Sequence, residues 1–181
     1  MVFAEDECHY LWGDLLGYVW GKKGKRSEAL VKNEKLRQTY FGCVNIANGL
    51  AFVKKYASGN GENAVKFLRH VVQKVPSGKR ILILWDKATY HTCKEVKAYL
   101  KELNQGLSKK DWKLTLELLP TAAPEENPIE TVWLKAKNHV RNKFNECNGF
   151  ADVKRIFEEY IESRVFDFEK MKNFGDFSNI I

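Results

Sequence analysis

Residues 81–85, ILILW, form an unbroken apolar run bounded by Pro76-Ser77-Gly78 upstream and by Asp86 downstream. A short apolar run between breakers reads as a strand buried on both faces, which requires cover above and below the sheet. The flanking patterns supply that cover. Ala64, Val65, Phe67, Leu68, Val71 and Val72 fall at helical spacing before the run, and Val96, Tyr99, Leu100 and Leu103 share one face of a predicted helix over 93–103. Residues 114–118 predict another strand, followed by a proline-rich loop that runs into a helix. The chain then reads as helical to about Arg164, and residues 166–181 show no assignable pattern. At the other end, residues 2–5 and 15–20 read as strands. Residues 39–46 and 50–56 form a hairpin about the turn pair Asn48-Gly49. Strands, then helix, strand, helix, strand, helix predict one α/β domain over 1–181 with an antiparallel opening and a parallel centre.

Composition narrows the function. An apolar fraction of 44% excludes a disordered chain, and no run of eighteen apolar residues offers a membrane span. The start MVFAEDE is acidic where a signal peptide needs a basic start and a longer apolar run, so the expected location is the cytoplasm, associated with the nucleoid. Cys8, Cys43, Cys93 and Cys147 are too far apart in sequence for a zinc knuckle and read as reduced, mostly buried thiols. The net charge is +7. Residues 152–181 hold seven acids and five bases, so the first 151 residues carry +9. Clusters such as Lys22, Lys23, Lys25 and Arg26 favour a phosphate-backbone partner.

Four acids stand at positions that chemistry can use. Asp86 ends the buried strand, where sites gather in open α/β sheets, or it caps the next turn. Asp6 and Glu7 follow a strand-like run. Successive strand residues point to opposite faces, so only one of the pair can join Asp86; both could also be surface acids of a hairpin. Asn127 suits an N-cap and Pro128 the first turn of a helix. Glu130 then stands at the capping-box position, so a structural role competes with a chemical one. Ile129, Val132 and Trp133 form that helix's buried side.

The stretches ILILWDKATYH and LPTAAPEENPIETVWLKAK resemble the transposases of the Tc/mariner superfamily, in its bacterial insertion-sequence branch. Those proteins show a strand ending in Asp with a His five residues later, here Asp86, Lys87 and His91. A Leu-Pro pair follows, then a Pro-Glu-x-Asn-Pro-Ile-Glu run and a helix bearing Trp and Lys. Here these are Leu119-Pro120, Pro124-Glu125, Asn127-Pro128-Ile129-Glu130, Trp133 and Lys137. FAEDE resembles the first strand with its Asp-Glu, YVWGKKGKR the Trp-x-x-x-Gly element, and FGCVNIANG the next strand and turn. The likeness spans roughly residues 3–143. Glu126 departs from the usual apolar residue and Ala123 from a common Ser, which adds a third acid near the site.

The resemblance implies an RNase H-like fold and a catalytic, metal-binding triad of Asp6, Asp86 and Glu130, with 43 residues between the last two. It implies two Mg²⁺ ions, replaceable by Mn²⁺, held by carboxylate oxygens about 3.5–4 Å apart. The implied reactions are DNA cleavage at transposon ends and attack of the freed 3′-OH on target DNA, at easily deformed TA steps. Glu7, His91 and Asn127 are expected accessories, with His91 positioning DNA or a metal-bound water. Lys22, Lys23, Lys25, Arg26, Lys87, Lys137 and Arg141 are expected DNA contacts. The active complex is expected to be a homodimer. Relatives carry an N-terminal helix-turn-helix region, whereas this sequence starts just before the first catalytic strand, so it is expected to be either a fragment or one of two separately encoded halves, the second case making a separate DNA-binding chain a partner. A nuclease that cuts without joining, or an inactive DNA-binding remnant, are the alternatives.

Overall fold

A computed structural model describes residues 1–15, 22–24, 35–119 and 127–172. Strand β1 (Val2–Leu11) lies at the centre of a five-stranded sheet of order β3-β2-β1-β4-β5, with β2 (Arg37–Asn45), β3 (Ala51–Tyr56), β4 (Ile81–Trp85) and β5 (Leu114–Leu118). β1–β2 and β2–β3 pair antiparallel, whereas β1–β4 and β4–β5 pair parallel. This is the mixed sheet expected from sequence.

The β2–β3 connection turns at Asn48-Gly49 as expected. Asn45 Oδ1 accepts hydrogen bonds from the N–H groups of Ala47 and Asn48, and Gly49 adopts φ +68°. A left-handed conformation there favours glycine.

Helices α1 (Gly61–Lys74) and α2 (Lys94–Leu103) cover one face of the sheet; α3 (Pro128–Asn142) and α4 (Phe150–Glu162) cover the other. A last short helix, α5, is Glu169–Lys172. Strand alternation divides β1 between the two cores. Val2, Ala4, Cys8 and Tyr10 join the α3/α4 core, and Phe3 joins the α1/α2 core with Ile81, Ile83 and Trp85. α4 contributes Val153, Ile156, Phe157 and Ile161 to the core it shares with α3 and the sheet. Phe157 packs edge-on to Tyr10 at 5.0 Å and stacks with Trp133 at 6.0 Å.

Two expectations need correction. β1 does not stop at Glu5. It continues to Leu11 because β2 pairs with it along its length, so Asp6 and Glu7 are mid-strand. Leu15 closes a 3₁₀ turn (Trp12–Leu15), not a strand. Residues 16–20 of that expected strand, Lys25 and Arg26, the loop with Glu125 and Glu126, and residues 173–181 lie outside the described residues. The cysteines are free, with Cys8 and Cys43 buried.

Candidate active site

The register of the two parallel strands brings the acids together. Ala4 pairs with Leu84, so two residues farther along each strand Asp6 comes level with Asp86, just beyond the end of β4. Asp6 points to the α3 side. There Trp133 Nε1–H donates to its Oδ2 at 3.3 Å. α3 is fixed against β1 by Asn127, whose side-chain N–H donates to the Glu5 carbonyl at 3.0 Å while its Oδ1 accepts from Ile129 N–H at 3.3 Å. Asn127 is thus the helix N-cap, as expected, and also the tie that sets Glu130 near Asp6. Glu130 is exposed on the first turn of α3.

Burial raises the Asp6 carboxyl well above the usual carboxylate range, and the charges of Glu130, Glu7 and Asp86 push it further up. Asp86 is half exposed. Its Oδ1 accepts from Ala88 N–H at 2.8 Å, so the cap reading of Asp86 also holds. The two roles are compatible, because a carboxylate has several lone pairs to share.

His91 lies on the other side of β1. Its ring is fully buried and stacks on Trp85 at 4.1 Å, so it has no surface to offer DNA. Nδ1 stands 3.0 Å from Asp86 Oδ1 and 3.1 Å from the Asp86 carbonyl oxygen, and Nε2 faces Glu5 and Glu7. Glu5 is buried, and its carboxyl is raised well above the usual range by burial, then by Glu7, Asp6 and Asp86. Sequence reading passed over Glu5 altogether. The signal was its i, i+2 spacing from Glu7, which places both on the face opposite Asp6.

The expected DNA contacts divide. Lys22 and Lys23 are exposed. Lys87 is exposed beside Asp86. Lys137 and Arg141 follow Glu130 along one face of α3, at helical spacing. Lys137 Nζ donates to the His9 carbonyl at 3.5 Å and stands 5.7 Å from the Tyr10 ring centre; Arg141 donates to Asn138 Oδ1 at 2.8 Å. Trp133 is core, as expected, but its indole N–H also reaches Asp6.

Residues 1–150 match the family model described as DDE superfamily endonuclease. Among solved structures, the Mos1 mariner paired-end complex with Mn superposes with a TM-score of 0.57 at 16% identity, over 91% of this chain and 48% of that one. The catalytic core domain of BIV integrase gives 0.56 at 10% identity, over 92% and 86%. The simian T-cell lymphotropic virus intasome, in complex with the PP2A regulatory subunit B56 gamma, gives 0.62 at 9%, over 94% and 52%. At these identities the likeness establishes the fold, the RNase H-like core of integrases and transposases. This chain spans about half the length of the Mos1 chain. No curated protein sequence matches it. The motif resemblance to Tc/mariner transposases is borne out.

Proposed function

This chain belongs to the DDE superfamily of endonucleases, and we propose that it is a transposase catalytic domain whose Asp6, Asp86 and Glu130 hold the divalent cations of DNA cleavage and strand transfer. The observation that carries this reading is the carboxylate group formed where the β1–β4 register sets Asp6 level with Asp86 and where Asn127 and Trp133 tie α3, which bears Glu130, to β1. Such a group is costly without a counter-charge, and its donors are the hard oxygens that Mg²⁺ prefers. The donor set therefore fits the ions implied by the family, with Mn²⁺ as a substitute. When bound, two such ions activate a water or 3′-hydroxyl and stabilise the leaving oxygen.

The protein's own residues do the positioning. Trp133 holds one oxygen of Asp6, and Ala88 N–H holds one oxygen of Asp86, so each carboxylate presents its remaining lone pairs in a set direction. Asn127 fixes the α3 N-terminus on β1 and with it Glu130. A cation held there would offset the burial and the neighbouring negative charge that raise the Asp6 carboxyl. Lys22, Lys23, Lys25, Arg26, Lys87, Lys137 and Arg141 supply the phosphate contacts that hold a DNA strand over the acids. We assign residues 1–181 to one catalytic unit. In the working complex it acts as a homodimer on transposon ends and on TA target sites.

The deciding experiment is metal-dependent cleavage and joining of labelled DNA that carries the matching transposon ends. A joined product supports strand transfer. Cut but unjoined product makes this a nuclease, and no cutting by folded, metal-loaded protein makes it a binding remnant.

A further inference from the structure

Glu5, Glu7 and His91 form a second, closed group on the opposite face of β1 from Asp6. One ligand atom from each lies within 4.8 Å of the others. The side chains are almost wholly buried, at 1%, 5% and 0% exposed. Glu5 Oε2, Glu7 Oε1 and His91 Nε2 are buried, and none has a hydrogen-bond partner among the described residues. Buried polar atoms are ordinarily satisfied, so three orphaned atoms within 4.8 Å of one another call for a ligand.

The spacing identifies the kind of ligand. His91 Nε2 is 3.4 Å from Glu7 Oε1 and 3.7 Å from Glu5 Oε2. A charged imidazole N–H bonded to a carboxylate would stand at about 2.7–2.9 Å. Ligand atoms around one tetrahedral ion with bonds of about 2.0–2.1 Å are about 3.3–3.5 Å apart. The observed distances match the second case better than the first. The histidine is also oriented for it. Nδ1 faces two acceptors, the Asp86 carbonyl oxygen at 3.1 Å and Oδ1 at 3.0 Å, so Nδ1 carries the hydrogen and the Nε2 lone pair points at the two glutamates. A ligating histidine whose other nitrogen donates to a carboxylate is the usual outer-shell arrangement of a metal site.

We propose that Glu5, Glu7 and His91 bind one zinc-class transition-metal ion, distinct from the cations of the Asp6 face. An imidazole donor selects zinc, copper, iron or nickel over magnesium, whereas an all-carboxylate group suits magnesium. The two faces of β1 therefore differ in metal preference. The ion's charge balances the two buried carboxylates, and His91 transmits its position to Asp86. This site stands whether or not the chain joins DNA.

The test uses the full chain, Zn²⁺ and excess Mg²⁺. One zinc per chain should survive dialysis against Mg²⁺. His91→Gln and Glu5→Gln should each weaken zinc binding by about a hundredfold or more, judged against the tenfold to hundredfold typical of losing only an outer-shell partner. Glu130→Gln, on the other face, should leave zinc binding unchanged. Zinc-edge anomalous diffraction of the unmodified chain decides the matter even if a variant fails to fold. A peak about 2.0–2.2 Å from Nε2 and the two carboxylate oxygens supports the site. A peak only among Asp6, Asp86 and Glu130, no retained zinc, or zinc lost with Glu130→Gln but kept with His91→Gln overturns it.

Discussion

Gly42→Ala tests whether the two elements that carry the acids are packed as described. Gly42 pairs directly with Asp6 across β1 and β2, under the indole of Trp133. An added Cβ would fall 2.2 Å from Trp133 Cη2, 2.9 Å from Cζ2 and 2.9 Å from Val53 Cγ1. Carbon atoms rest at about 3.5–4.0 Å, so the ring must retreat by about 1.3 Å or more. It has little room, because it stacks on Phe157 and its N–H bonds Asp6. The retreat is passed to α3, and with it to Glu130. Overpacking of this kind costs about 1–3 kcal/mol. For a chain of this size that lowers the melting temperature by about 2–12 °C, measured by thermal denaturation followed by circular dichroism. A shift of about 1 Å in Glu130 should reduce metal-dependent cleavage by about a hundredfold. Trp133→Phe removes the atoms that the new methyl meets, so the double variant should recover about 1 kcal/mol relative to additivity. A Gly42→Ala protein that melts and cleaves like the parent, or a strictly additive cycle, refutes the packing argument.

Glu130→Gln should leave metal-free stability unchanged or slightly raised, because a charge crowding Asp6 is lost while Asn127 still caps α3. It should abolish cleavage and shrink the rise in melting temperature that Mg²⁺ causes in the parent; normal cutting by this variant would move the third ligand to Glu125 or Glu126, which Gln variants would identify. Asp6 has a folded pKa raised above its unfolded value of about 3.9, so its contribution to stability is complete below that pH and is lost as pH rises through the folded value. Asp6→Asn should therefore be more stable than the metal-free parent at neutral pH, with an advantage that shrinks towards pH ~4; an advantage that grows on acidification contradicts the sign. Taking the difference between the two proteins cancels the opposing effect of His70 and His139, which burial lowers in both. DNA binding by this chain alone should be weak, with little sequence preference, and should fall steeply with salt in a filter or anisotropy titration; tight, salt-resistant binding to one sequence would place end recognition within these residues. Burial pushes the Cys43 thiol well up, so Cys43 should resist alkylation in the folded chain and react only on unfolding, as mass spectrometry of the modified peptides would show.

Periodicity and punctuation alone specified most of the elements. ILILW read as a buried strand because five apolar residues between breakers are too few for a buried helix, and Asn127-Pro128 announced the start of α3 through local capping chemistry. Period-two alternation also meant that Asp6 and Glu7 could not both meet Asp86. Other features depend on pairing between segments far apart in the chain. β1 outruns its expected end because β2 hydrogen-bonds the whole of it, which no property of residues 6–11 alone discloses. The level meeting of Asp6 and Asp86 rests on the Ala4–Leu84 register, and Glu130 joins them only because Asn127 ties α3 to the Glu5 carbonyl. Burial separates the two acid groups most sharply. Glu5, Glu7 and His91 lose their water when α1, α2 and the 3₁₀ turn over Thr89–Thr92 close over one face of the sheet, while Asp86 and Glu130 keep theirs on the other. A carboxylate's chemistry is set by solvation and by neighbouring charge, and both are properties of the packed sheet.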